Sequence, residues 1–208
     1  MQNIDRFIFV RHGETDWNAM GKMQFHSDIP LNTKGEEQAK QAAVILGDQN
    51  GETFHIVHSH LMRAAYTASI IINELMQAKD TQTKIVKGIL PFIGLAERYG
   101  GTLDGVFRDD FTVMANKSSL EGADIWDNIH LLCPHAESSP NLVKRLKCAL
   151  TQGHKLAMQS ESTLLVFGHF GAMSTLARLE MKLAFYPENA TPYLFENTKN
   201  GWVIKTLS

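Results

Sequence analysis

Apolar positions along this chain recur with two periods, and the two alternate. Ile4 to Val10 reads as a short strand, apolar without a break from Phe7 to Val10. Thr33 to Asp48 follows the helical period, with Ala39, Ala42, Ala43 and Leu46 on one face and Lys and Glu side chains on the other. A second strand at Phe54 to Ser59 leads into a helix from about Leu61 to Ala78. The pairing returns late, with Thr163 to Phe167 as a buried strand and Ala172 to Leu183 as a helix. Strands separated by helices predict an α/β fold: a three-layer α/β/α sandwich around a mostly parallel sheet covered on both faces. Pro192 to Glu196 and Trp202 to Thr206 flank the turn-rich Asn197 to Gly201, which predicts a hairpin and hence an antiparallel edge near the C-terminus. Residues 88–140 are the least regular third, punctuated by Gly94, Gly100, Gly101, Gly105, Gly122 and Pro134. They read as a lid or insertion within a single domain spanning 1–208, in which no internal repeat or low-complexity tract stands out.

Composition narrows the partners rather than the fold. Apolar residues make up 44% and charged residues 20% of the 208, which is ordinary globular composition and excludes collagen-like and disordered classes. Twenty Lys and Arg stand against twenty-two Asp and Glu, a net charge of −2, so neither nucleic acid nor a membrane surface is an expected partner. A strongly anionic ligand has to be held by a few converging side chains. The longest apolar run, Ala42 to Leu46, is far short of the ~18 residues of a membrane span. Arg11 arrives too early for a signal peptide. Cys133 and Cys148 stand apart rather than in a CxxC pair, which argues against a zinc knuckle or a redox pair and suits a reduced, cytoplasmic compartment. No residue pattern sets an oligomeric state.

In parallel sheets ligands gather at the carboxyl ends of the strands. Three predicted strands end in polar clusters: Arg11-His12-Gly13-Glu14-Thr15-Asp16-Trp17-Asn18, then Ser59-His60-Leu61-Met62-Arg63-Ala64, then Gly168-His169-Phe170-Gly171. A lone histidine after a strand is commonly a hydrogen-bonded structural residue, and a lone arginine is commonly solvated. Arg11 and Arg63 with His12 and His169 at matching strand ends point further, because guanidinium forks match phosphate oxygens two at a time.

The stretch from Phe9 to Asn18 resembles the signature of the histidine phosphatase superfamily, in its phosphoglycerate mutase-like branch. The resemblance continues through Gln24, Asp28, Pro30, Leu31, Gly35 and Gln38-Ala39, and recurs at Ser59, Leu61, Arg63-Ala64 and Thr67-Ala68. It returns at Leu95, Glu97, Gly101 to Gly105, Glu137-Ser138 and His169, an ordered series over most of the chain. It implies that His12 is the nucleophile forming a phosphohistidine, that Arg11, Arg63 and His169 grip the phosphoryl oxygens, and that Glu97 is the proton donor to the leaving oxygen. Asn18 and Gln24 are implied in substrate binding, though Asn18 equally suits a helix cap. Glu14 and Trp17 fit supporting roles, Gly13 a tight turn or a close backbone approach, and Glu137 the substrate side. Phosphoryl transfer needs in-line positioning and neutralised oxygen charge, which two guanidiniums and an imidazole supply without a metal or other cofactor. The expected activity is hydrolysis of a small phosphate monoester. Mutase-type transfer and a non-catalytic phosphate-binding module stand as alternatives.

The pattern departs from the family at Phe25, Leu103, Gly168 and Phe170. Phe25 and Phe170 are expected to narrow the pocket mouth. A rival chemistry comes from His55, His58 and His60: on a strand His58 and His60 share a face, as a zinc or di-metal pair requires, but a third ligand is missing from the neighbourhood.

Overall fold

The computed structural model describes residues 4–49, 51–78, 84–118 and 124–208, with the backbone alone at 84–88 and 124. In chain order, β1 (Arg6–Arg11) leads to a short α1 (Asp16–Ala19), then to α2 (Thr33–Gly47), β2 (Thr53–His58), α3 (Met62–Gln77) and β3 (Lys84–Pro91). Single 3₁₀ turns at Ile93–Leu95 and Gly101–Leu103 precede α4 (Arg108–Lys117), α5 (Asp124–Asp127) and α6 (Ile129–Leu132). The chain closes with α7 (Ser139–Gln159), β4 (Thr163–Gly168), α8 (Phe170–Leu176), β5 (Pro192–Thr198) and β6 (Gly201–Thr206).

The strands form one sheet in the order β3-β2-β4-β1-β5-β6. β1 and β2 each pair in parallel with β4, and β3 pairs in parallel with β2, whereas β5 and β6 run antiparallel at one edge. Both faces are covered, which is why β1 and β4 are apolar at consecutive positions rather than alternately. Ile8, Val10, Phe54, Ile56, Leu165 and Phe167 pack under α2 and α3. Phe7, Phe9, Val57, Leu164 and Val166 pack under α7 and α8. Parallel register carries Arg11 to the level of Gly168 and His58 to that of Phe167, so the polar clusters after β1, β2 and β4 open at one end of the sheet.

The expected elements sit within two residues of their predicted bounds, and β3 and α7 are among those that the pattern does not predict. β3 occupies part of what reads as irregular sequence; an edge strand needs less apolar surface, and Lys84, Lys87 and Gly88 break its pattern. α7 fills the interval before β4, capped by Ser138 and started by Pro140 in its first turn. The helix predicted to reach Leu183 begins at Phe170, and its last turn widens to a π-turn over Ala177–Met181. Between β3 and α7 a third apolar cluster gathers Met23 and Phe25 with Leu103, Phe111, Ala115, Ile125, Ile129, Cys133 and Ala136. Gly122 lies outside the described residues. Among the described residues no helix is long and apolar enough to cross a membrane.

Candidate active site

His12 follows β1 directly and is 4% exposed. Its backbone N–H extends the β1–β4 ladder to the Gly168 carbonyl, which fixes where the side chain leaves the sheet. Its Nδ1 lies 2.7 Å from the Gly13 carbonyl oxygen. A carbonyl can only accept, so Nδ1 carries the ring proton and Nε2 the lone pair of the neutral ring. Burial, then the Arg63 and Arg11 charges, hold the pKa of His12 well below the usual imidazole value, so the ring is neutral near pH 7. Gly13 is required by a close approach: a Cβ there would stand 2.4 Å from the Gly35 carbonyl oxygen, and its φ is not among the positive ones. Its N–H donates to Thr67 Oγ1 at 2.9 Å, tying the loop to α3.

Arg63 lies in the first turn of α3 and is fully buried. That helix start has no capping side chain of its own; Asp28 Oδ1 accepts from the Met62 N–H instead. The Arg63 guanidinium donates to the carbonyls of Ser27 and Phe25 at 2.9 and 2.8 Å, and its Nε is buried with no hydrogen-bond partner. Arg11 donates to the Pro187 carbonyl at 3.1 Å, again with Nε buried and unpartnered. Burial is the main cause that pulls both guanidiniums from the usual arginine value down to about 10, and the charge of Glu97 acts in the opposite direction on both. His169 caps the start of α8, with its ring centroid 5.3 Å from that of His12. Its Nε2 meets Ser59 Oγ at 2.8 Å, while Nδ1 is buried without a partner. Burial, then Arg63, His12 and Arg11, keeps its pKa well below the usual value. Three buried nitrogens capable of donating, on Arg11, Arg63 and His169, are thus left without partners, in groups that either lie against the neutral His12 ring or lower its pKa by their charge. An anion is what such a group of unpartnered polar atoms would accept.

Glu97 stands in the same cluster, buried, and makes no ion pair with Arg98. Its Oε1 accepts from the Arg98 backbone N–H and its Oε2 from the Gly171 N–H, both at 2.8 Å. The Arg98 guanidinium turns away to the Glu137 carbonyl, Ser139 and Thr175. Arg145 of α7, which the sequence reading passes over, organises the segment before Glu97. It donates to the carbonyls of Gly94, Ala96 and Glu97 and grips both carboxylate oxygens of Glu137 at 2.7 Å. Glu137 is therefore committed to Arg145 rather than free to line the substrate side. Asp104 and Asn189 are likewise additions. Asp104 accepts from the successive N–H groups of Phe25, His26 and Ser27, which holds up the carbonyls that Arg63 uses. Asn189 donates to the His12 carbonyl at 2.8 Å. In sequence each is an ordinary loop polar residue, and its contacts lie tens of residues away.

Asn18 and Thr15 form a reciprocal capping box at α1, and the Asn18 carbonyl also meets the Asn189 amide at 3.4 Å. The Gln24 carbonyl accepts from Thr15 at 2.7 Å, and its amide reaches Ile29. Glu14 is held by Asn32 and Lys34. Gly105 packs under the Trp17 ring. Phe25 does not narrow the mouth: its ring packs against Gly100 in the third apolar cluster, and only its backbone serves the site. The Phe170 ring lies against the Arg11 guanidinium, 5.2 Å from its carbon, and is partly open to water. The histidine pair expected on a strand face is not formed, because β2 ends at His58 and His60 lies in the following turn. His58 donates to the Ser59 carbonyl, and His55 is buried in the sheet. Among the described residues no three His, Cys, Asp or Glu side chains gather as a metal site.

Residues 7–208 match the profile of the histidine phosphatase superfamily (branch 1), and the chain belongs to that family. It is 32% identical over 108 residues to the 2,3-bisphosphoglycerate-dependent phosphoglycerate mutase of Buchnera aphidicola, a match over 51% of this chain and 43%, less than half, of the relative. A broad-specificity phosphatase of Saccharomyces cerevisiae is 27% identical over 82% of this chain and 68% of its own length. A phosphoglycerate mutase structure from Bacillus anthracis shares the fold with a TM-score of 0.76, at 20% identity and over 98% of this chain and 93% of that one.

Proposed function

We propose that the chain hydrolyses a phosphate monoester through a phosphohistidine on His12, without a metal. The observation that carries this reading is the commitment of His12: Nδ1 is spent on the Gly13 carbonyl, leaving the Nε2 lone pair free in a buried site that also holds three unpartnered cationic or polar nitrogens. In the first step Nε2 attacks phosphorus in line, the phosphorus–ester oxygen bond breaks, and the Glu97 carboxyl gives its proton to the leaving oxygen. In the second, Glu97 takes a proton from water, whose oxygen attacks phosphorus; the phosphorus–Nε2 bond breaks, its electron pair returns to His12, and inorganic phosphate leaves. Arg11 and Arg63 neutralise the equatorial oxygens. With Ser59 donating to Nε2 of His169, its Nδ1–H is left for a third oxygen. Asn18 and Gln24 act in this scheme by holding the loop that bears His12. Within 88–140, the described residues between β3 and α7 serve as a lid or insertion on the single catalytic unit.

Mutase-type transfer is a second reading, favoured by the mutases among the relatives. It differs in one product: a mutase returns the phosphoryl group to another substrate oxygen, a phosphatase releases it. A panel of phosphate monoesters should therefore yield stoichiometric inorganic phosphate, with the rate unchanged by a chelator and inhibited competitively by orthovanadate. Isomerised ester without phosphate release would establish the mutase reading instead, and a rate recovered only on adding metal would remove the metal-free scheme.

A further inference from the structure

Phe170 and Tyr186 form an exposed aromatic shelf tied to the anion site from two directions. Their ring centroids are 6.3 Å apart, with planes inclined by 35°. Phe170 is 37% and Tyr186 75% exposed. The Phe170 ring faces the Arg11 guanidinium carbon at 5.2 Å, and Tyr186 precedes Pro187, whose carbonyl accepts from the same guanidinium. On its other side Phe170 adjoins Gly171, whose N–H donates to Glu97. The shelf therefore adjoins the Arg11 guanidinium, is joined through the Phe170–Gly171 backbone to the segment that holds Glu97, and reaches solvent at Tyr186. Neither ring belongs to one of the apolar clusters, and beyond its contact with Phe170 the Tyr186 ring keeps a large apolar surface open to water.

We propose that the shelf reads the leaving group, and that the preferred substrates are phosphate monoesters carrying a planar ring about one sugar beyond the phosphate, the nucleoside monophosphates by chemical class. This rests on the phosphatase reading and deepens it. The hydrolysed bond remains that of an alkyl ester, so Glu97 is still required. The ring contributes by stacking on Phe170 and Tyr186, which tolerates any base because every base has a π-face. A sugar phosphate without the ring leaves the shelf uncovered.

Adenosine 5′-monophosphate and ribose 5-phosphate make the matched test, because both leave as a primary alkoxide of ribose and differ in the base. The expected kcat/KM ratio in the wild type is about 5 or more in favour of the nucleotide, the lower end of what stacking on an aromatic side chain gives. Phe170→Ala and Tyr186→Ser should each bring the ratio toward one. Tyr186→Ser, at an exposed position, should leave ribose 5-phosphate turnover within about threefold of wild type. A wild-type ratio near one, or a ratio unmoved by Tyr186→Ser, overturns the proposal. So does a Phe170→Ala variant that loses both substrates equally, since Phe170 would then only support Arg11. Nitrophenyl phosphate, run alongside, separates the two readings. Turnover of it with neither ribose ester hydrolysed defeats the shelf alone, and no turnover of any ester defeats the phosphatase reading and the shelf with it.

Discussion

At the scale of single residues, the chemistry depends on which lone pairs and protons are already committed. His12 has one nitrogen spent on a carbonyl, so rotation of the ring to present Nδ1 would forfeit a buried hydrogen bond. Glu97 has both oxygens held by backbone N–H groups, which fixes the carboxyl without a cation of its own. A general acid matters in proportion to how basic the leaving oxygen is. Glu97→Gln keeps the shape and one acceptor. It should slow an alkyl phosphate by roughly 10²-fold or more and nitrophenyl phosphate much less, measured in single-turnover assays where phosphohistidine formation limits the rate. Equal losses on both would make Glu97 a residue that positions phosphate, not one that moves a proton.

At the scale of elements, the site is assembled by parallel strands and secured by a helix that carries none of the candidate catalytic groups. Arg145 on α7 reaches three carbonyls between 94 and 97 and both oxygens of Glu137. Arg145→Met should therefore reproduce the leaving-group asymmetry of Glu97→Gln, and the two changes together should cost little more than either, because they disable one function. Arg145→Lys should not rescue, since a single ammonium cannot serve five acceptors in a fixed fork. Additive losses, or rescue by lysine, would disconnect Arg145 from the acid. The strands and helices that place Arg11, His12, Arg63 and His169 are legible in the sequence, because strands buried on both faces leave continuous apolar runs and the polar residues at their ends stand out against them. β3 is not, since its lysines and Gly88 erase the pattern at an edge that need not be fully apolar. Neither are Arg145, Asp104 and Asn189: each acts through backbone groups 48 to 51, 77 to 79 or 177 positions away, and backbone atoms leave no mark in a sequence. The reach of the Phe25 ring into the third apolar cluster was hidden for the same reason, since its partner Gly100 offers only the lack of a side chain.

At the scale of the whole molecule, the site is a store of unfavourable electrostatics in the unliganded fold. Two guanidiniums and two imidazoles are buried together, and burial with the guanidinium charges depresses the pKa of both His12 and His169. His55, also buried, is depressed by burial alone. Once pH falls below the usual imidazole value of about 6.5, the unfolded chain binds protons that the folded chain refuses. The corresponding stability is thus fully present above about pH 6.5 and is lost as pH falls toward the depressed folded values. Urea midpoints should drop between pH 7.5 and pH 5, and the drop should shrink in His12→Asn and His169→Asn; an unchanged slope would show that these imidazoles are not buried neutral. An anion in the site offsets the same repulsion, so orthovanadate should raise the melting temperature at neutral pH and lose that effect in Arg63→Ala. The phosphohistidine is the claim on which the rest depends, and rapid-quench trapping with a labelled aryl phosphate tests it most directly. The expected result is a phosphoryl adduct, stable in base and lost in acid, that maps to His12 and is absent from His12→Ala. An acid-stable adduct, or one that survives that substitution, would contradict it.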